Sequence, residues 1–217
     1  MASKFLRTNL KDMIETLGED RVKSILANFS CEVNKDVEYF LRQKAVEFAK
    51  QGLSETQLVY YKDDSGEEET LKLVGYYTLA QKTITISKNA LSNSLRRRIH
   101  KFATFDFEAK KYTLPVILIG QLGKNYADGN NQYITGDELI ELAFNSVETV
   151  QRIIGGKAIY LESEEKEYLH LLTQTTRSLR DSDESTLTGV DYQVVGGKVT
   201  VQPARSAEDN FASRGPI

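Results

Sequence analysis

The sequence predicts a mixed α/β domain, a mostly antiparallel sheet flanked by helices with additional helices at the N-terminal end. Three observations predict it. Apolar residues recur at helical spacing over the first fifty residues and again from Asp137 to Ile154. The stretches TQLVYYKD and LKLVGYYTLAQKTITIS are rich in β-branched and aromatic residues, as strands are. YTLPVILIGQLGKN is apolar almost throughout, then passes through a glycine-dotted polar loop into a helical pattern. That is the strand–loop–helix order of an α/β core.

NLKDMIETLG sets Leu10, Met13, Ile14 and Leu17 on one face and stops at Gly18. EDRVKSILANF repeats the pattern with Val22, Ile25, Leu26 and Phe29. NKDVEYFLRQKAVEFAKQG carries the stripe Val37, Phe40, Leu41, Ala45 and Phe48, with Asn34 as N-cap and Gly52 as terminator. Two strands follow, joined by the acidic turn DDSGEEE, and then a short basic helix, NALSNSLRRRIHKFA. The apolar strand comes next. The helix beyond it is expected to bury Leu139, Ile140, Leu142, Ala143, Val147, Val150, Ile153 and Ile154. GGKAIYLES gives another central strand, EEKEYLHLLTQTT a further helix, and YQVVGGKVTV a hairpin about Gly196-Gly197. QPARSAEDNFASRGPI has no periodicity and is expected to be a mobile tail. The expected division is therefore a helical extension over 1–30, the main domain over 31–201, and a tail over 202–217.

Composition narrows the function. Of 217 residues, 40% are apolar and 27% charged, the balance of a globular protein with a core. A net charge of −3 gives no general attraction to polyanions, so a nucleic-acid site would have to be a local patch. Cys31 is the only cysteine, which rules out an intrachain disulfide and suits a reducing compartment. With two histidines and one thiol, a Cys/His zinc cage is excluded and no metal is expected. The first residues turn charged before any apolar segment of signal-peptide length, and no run approaches membrane-spanning length. A cytoplasmic protein without membrane contact is expected.

The loop from Tyr126 to Gly136 carries the chemical argument. The first N–H groups of a helix have no internal partner, so a strand feeding a polar loop at a helix start suits an anion. GQLGKN has too few residues between its glycines for a P-loop, and no G-x-G-x-x-G spacing occurs. Asn130, Asn131 and Gln132 add side-chain donors, and Gly136 permits close approach, a set that suits a pyrophosphate. The bland alternative is a strand–loop–helix junction that holds nothing.

The order of these elements resembles the core of the GNAT acyl-CoA N-acetyltransferases. From about Leu10 to Glu165 the chain is similar to small bacterial and phage members, through LVGYYTLA, LIGQLGKN, ITGDELIELAF and IGGKAIYLESEE. The resemblance implies a GNAT fold whose sheet splays between its fourth and fifth strands, and acetyl-CoA as cosubstrate. It implies that pantetheine pairs with the backbone of Leu122, Gly123 and Lys124 like an added strand. It further implies that the pyrophosphate lies on Asn131, Gln132, Tyr133, Ile134, Thr135 and Gly136, with Asp137 at the helix start. The family pattern at this turn is Gln/Arg-x-x-Gly-x-Gly/Ala; here only Gly136 is kept, and Ile134 stands where a glycine makes room.

Acetyl transfer to an amine calls for a base and for an acid to protonate the leaving thiolate. The family's usual tyrosine falls on Thr173, a poor acid. Tyr168 and His170 precede it on the expected helix, and Glu162 and Glu164 are candidate bases. Each has an ordinary reading as a surface residue. The run Arg96, Arg97, Arg98, His100 and Lys101 reads either as a solvated helix face or as a patch for an acidic substrate or RNA. Overall acidity and the lack of interleaved aromatics argue against RNA. The expectation is an N-acetyltransferase acting on an unknown primary amine of a small molecule, a protein or an aminoacyl-tRNA. A homodimer is also conceivable. The alternative is a non-catalytic GNAT-fold binding protein of phage or mobile-element origin.

Overall fold

A computed structural model describes residues 4–63, 70–162, 167–171, 191–195 and 198–201, with side chains as far as residue 161. These fall into two compact units. The first comprises residues up to Gln81 together with Ile117–Gly155; the second comprises Lys82–Val116 and the residues from Gly156 onward.

The first unit opens with β1 (Phe5–Asn9), a strand where the sequence suggests only helices. Asn9 then caps α1 (Leu10–Leu17), its side chain accepting from the N–H groups of Lys11 and Asp12. Gly18, at φ +83°, turns the chain into α2 (Glu19–Ala27). Asn34 caps α3 (Lys35–Tyr39), which passes through a π-helical turn (Phe40–Lys44) into α4 (Ala45–Lys50). Strands β2 (Glu55–Asp63), β3 (Thr70–Ser87) and β5 (Lys111–Lys124) follow, with α6 (Gly136–Ile154) after β5. The strand order here is β1-β2-β3-β5. β1 and β2 are antiparallel, as are β2 and β3, with a bulge between Val59 and Tyr60.

Neighbouring residues of β3 show how this sheet is covered on both faces, since successive side chains point to opposite sides. The Tyr76 hydroxyl donates to the Val37 carbonyl oxygen at 2.6 Å, and its ring meets Phe29 edge-on at 5.2 Å. On the other side Gly75 lies against Leu139 of α6. Helices α1 to α4 therefore cover one face and α6 the other. Leu10, Val22, Leu26, Leu41 and Leu58 are fully buried in the helical layer's core. Leu10, Met13, Val22, Leu26 and Phe29 thus share a core with Leu41, Leu58 and Tyr76. Each such leucine contributes roughly 1.5–3 kcal/mol by leaving water. On α6, Leu139, Ala143 and Val147 are buried as expected, but Ile153 and Ile154 are 79% and 65% exposed. The helix runs on past the sheet that covers its first three turns.

In the second unit, a 3₁₀ turn (Lys88–Ala90) leads to α5 (Asn93–Ile99), and β4 (Thr104–Asp106) forms a hairpin with the start of β5. Strands β6 (Ala158–Glu162), β7 (Glu167–Leu171), β8 (Asp191–Val195) and β9 (Lys198–Val201) are successive antiparallel neighbours. The hairpin expected near Gly196 is present as β8 and β9. The helix expected over EEKEYLHLLTQTT is not: Glu167–Leu171 is strand, paired residue for residue with β6. Leu169 and Leu171 alternate at strand spacing, while Tyr168, Leu171 and Leu172 are spaced as on a helix, and sheet pairing decides between the two. The segment 202–217 lies outside the described residues.

Candidate cofactor site

The C-terminal end of β5 is fastened by one amide. Asn125 is buried, and its Oδ1 accepts from Ser30 N at 3.0 Å and Ala127 N at 3.1 Å. Its Nδ2 donates to the Leu73 carbonyl at 2.8 Å, and its backbone N–H to Val74 at 2.8 Å. Tyr126 N donates to the Ser30 carbonyl at 2.7 Å. Strand β3, the α2–α3 connection and the loop beyond β5 thus meet at a single side chain, with its polar groups satisfied. The α2–α3 connection is itself held by Glu38, whose carboxylate accepts from Cys31 N at 2.9 Å and pairs with Lys35 and Arg42. The Cys31 N–H and the Lys35 ammonium hold that carboxyl below its ordinary pKa.

The loop then makes a 3₁₀ turn (Ala127–Gln132) in which Asp128 and Gly129 take left-handed φ of 54° and 70°. Tyr133 is clamped against the sheet. Its ring stacks on Tyr61 with centroids 4.8 Å apart, and its hydroxyl accepts from Lys72 Nζ at 2.9 Å. Lys72 also lies 4.5 Å from the Tyr133 ring centroid and pairs with Asp63 at 2.5 Å. Asp63 and the Tyr133 hydroxyl push the Lys72 pKa up. Ile134 is 1% exposed. Its side chain is in the core and so does not crowd an anion outside the loop.

Thr135 caps α6. Its Oγ1 accepts from Glu138 N at 3.1 Å, while the Glu138 carboxylate accepts from Thr135 N at 2.8 Å. This capping box engages two of the donors at the helix start. Glu138 is paired in turn with Lys4, at 2.5 Å, and that ammonium and the Thr135 N–H lower its pKa. The Gly136 and Asp137 N–H groups precede the first rung of the helical ladder, Leu139 N to Thr135 O. Both residues are exposed, and a Cβ at Gly136 would meet nothing within 4 Å. A small anion could therefore approach the backbone here.

Leu122, Gly123 and Lys124 occupy the end of β5 as expected. Gly123 has a packing reason to be glycine: a Cβ there would lie 2.3 Å from Val37 Cγ1. Asn131 and Gln132 fall in the 3₁₀ turn, and Asp137 in the first turn of α6. Of the catalytic candidates, Glu162 ends β6, opposite Glu167. Tyr168 and His170 are corrected from helix to strand, opposite Leu161 and Ile159. Their expected helical register with Thr173 therefore does not hold, while Thr173 and Glu164 lie outside the described residues. The Tyr61–Lys72–Tyr133 clamp was not legible in the sequence, because it joins residues brought together only by β2–β3 pairing. Among the described residues, no group of three His, Cys, Asp or Glu could hold a metal, and no helix is long and apolar enough to cross a membrane.

A mostly antiparallel open sheet with flanking helices, and an apolar strand leading through a loop into an amphipathic helix, is the GNAT fold. No protein-family model and no curated sequence matches the chain. Among solved structures, it is similar to AtaT complexed with acetyl-methionyl-tRNAfMet, at 17% identity and a TM-score of 0.50, over 96% of this chain and 99% of that one. It is similar also to a point mutant of KacT, at 14% identity and a TM-score of 0.53, over 96% and 100% of the two chains.

Proposed function

We propose that the protein is an acetyl-CoA-dependent N-acetyltransferase. The observation that carries this reading is the open start of α6. There the exposed Gly136 and Asp137 N–H groups stand at the end of a clamped loop, with Ile134 turned into the core. These groups would hold the pyrophosphate, and the backbone of Leu122, Gly123 and Lys124 would align the pantetheine. Acetyl-CoA supplies a thioester when bound. The amine nitrogen attacks its carbonyl carbon, the C–S bond breaks, and the amine gives up one proton while the departing thiolate takes one. Water can carry both protons, and the sequence offers Glu162 to assist the first and Tyr168 or His170 the second.

An amine carried on RNA is the acceptor this reading favours. It is supported by the AtaT complex, in which a chain of the same fold holds an acetylated methionyl-tRNA. The expectation against RNA, drawn from overall acidity, has no support from that likeness.

Gly136→Asp tests the reading cleanly. The open space around Gly136 predicts an unchanged fold, while the added carboxylate would repel a phosphate. Acetyl-CoA at a hundred times its dissociation constant should stabilise the parent by about 2.7 kcal/mol, and the variant should lose that shift. An equal shift in both proteins would place the cofactor elsewhere. Binding with no transfer to any amine, aminoacyl-tRNA included, would leave a binding protein.

A further inference from the structure

The basic run of α5 lacks interleaved aromatics in the sequence, yet the fold supplies them. Residues 88–111 hold six Lys and Arg beyond the paired Lys88, against two acidic residues, in a chain whose net charge is −3. The β4–β5 hairpin pairs Phe105 with Tyr112 and brings both beside α5, where His100 meets Tyr112 edge-on at 6.2 Å. Phe105 packs on Tyr112 at 4.5 Å and on Phe107 at 5.0 Å. Phe107 lies at the hairpin tip and is 81% exposed. Among the described residues no other large hydrophobic side chain is more exposed.

The tip is a built structure. Asp106 Oδ1 accepts from Glu108 N and Ala109 N, both at 2.9 Å. Lys110 takes a left-handed φ of 53°, and its carbonyl accepts from Lys88 N at 2.8 Å. Lys88 in turn has its ammonium 5.8 Å from the Phe105 ring centroid. Around this platform Arg97, His100, Lys101, Lys110 and Lys111 are exposed; Asp106 and Glu108 are the acidic side chains on the same hairpin.

We infer that α5 and the β4–β5 hairpin form a binding surface for single-stranded nucleic acid, with Phe107 the stacking platform for a base and Arg97 and Lys101 among its phosphate-binding groups. Exposed aromatic faces flanked by cations are what unpaired bases on a phosphate chain require. A duplex keeps its base faces stacked and offers Phe107 nothing. An acidic polypeptide would match the charge but not the ring. The inference deepens the RNA-acceptor reading, but it rests on residues apart from the acetyl-CoA loop, so the two can fail separately.

The test is fluorescence anisotropy with the full chain, a labelled oligouridylate, and no acetyl-CoA present. Phe107→Ala should weaken binding by about fivefold to a hundredfold, and Phe107→Trp should restore it. Arg97→Gln with Lys101→Gln should weaken binding and flatten its dependence on salt, by about 0.7 in logarithmic slope for each phosphate left without its cation. A duplex RNA of equal charge should bind more weakly than the single strand. Equal binding by Phe107→Ala, equal or better binding of the duplex, or preference for polyglutamate would each overturn the inference. Loss of acetyl-CoA binding in Gly136→Asp would leave these results unchanged.

Discussion

Gly123 has room for a hydrogen and little more. With Val37 Cγ1 2.3 Å from where a Cβ would stand, Gly123→Ala must push α3 away from β5. Overpacking of this kind costs about 1–3 kcal/mol. Urea unfolding should show that loss, and Val37→Ala in the same chain should recover much of it. Additive losses in the double variant would mean that the glycine serves another purpose. At the same scale, the candidate catalytic side chains should individually matter little. By the family resemblance the tyrosine position falls on Thr173, a poor acid, and a CoA thiol resembles a free thiol of pKa about 8.5, so water can protonate the leaving group. Tyr168→Phe and His170→Ala should each lower turnover by less than about tenfold, where a true general acid is worth roughly 10²–10⁴. A fall of about a thousandfold in either variant, with acetyl-CoA affinity kept, would identify the acid.

Among the elements, α6 begins at the proposed anion site and depends on its cap. Thr135→Val removes the hydroxyl that accepts from Glu138 N, at an expected cost of about 0.5–2 kcal/mol. Because its backbone N–H can still bond Glu138, the loss should be at the low end, read as a lower melting temperature. No change at all would mean the box is redundant. Two of the helix ends were legible: Asn34 and Gly18 punctuate the helices where local chemistry says they should, while the Asn9 cap went unread. So were the long strands β2, β3 and β5, because their runs of β-branched and apolar residues exceed what a turn or short helix would carry. What escaped was short or non-local. FLRTN becomes β1 through partners some fifty residues away in β2, and β4 has only three residues. EYLHL has Leu169 and Leu171 at strand spacing, a pattern masked by the helical spacing of Tyr168, Leu171 and Leu172. The loop was legible as a polar helix entry, but not the Tyr133 clamp that fixes it.

For the whole molecule, acid should act through a few carboxylates. Glu19, Glu38 and Glu138 all hold their protons less tightly when folded than at the ordinary value of 4.5, and Glu19 falls to about 2 through Lys23 and Lys50. The unfolded chain therefore binds more protons in acid. The stability these groups supply is present above about pH 4.5 and is lost as pH falls through their folded values. Urea midpoints should drop between about pH 5 and pH 3, and high salt, which screens such exposed pairs, should shrink the drop. A flat profile over that range would show the pairs to be without effect. Lys72 works in the opposite sense: its raised pKa gives stability that holds below the ordinary 10.5 and is lost above it. Deleting residues 202–217, which show no apolar periodicity, should leave both melting temperature and acetyl-CoA affinity unchanged. Unfolding of the shortened chain would make that segment part of the core.

Asn125 adds a consequence in time. Its bonds to Ser30 and Leu73 span 95 and 52 residues of sequence, so they form only after three distant segments have met. Long closures of that kind carry a large entropic cost before any contact rewards them. The junction should therefore close after the main folding barrier and open early on the way out. Asn125→Ala, in a stopped-flow experiment, should accelerate unfolding by nearly the whole of its equilibrium effect and leave the refolding rate almost untouched. Slower refolding instead would put this amide in the nucleus, making the turn into the candidate cofactor loop one of the first parts of the chain to find its place.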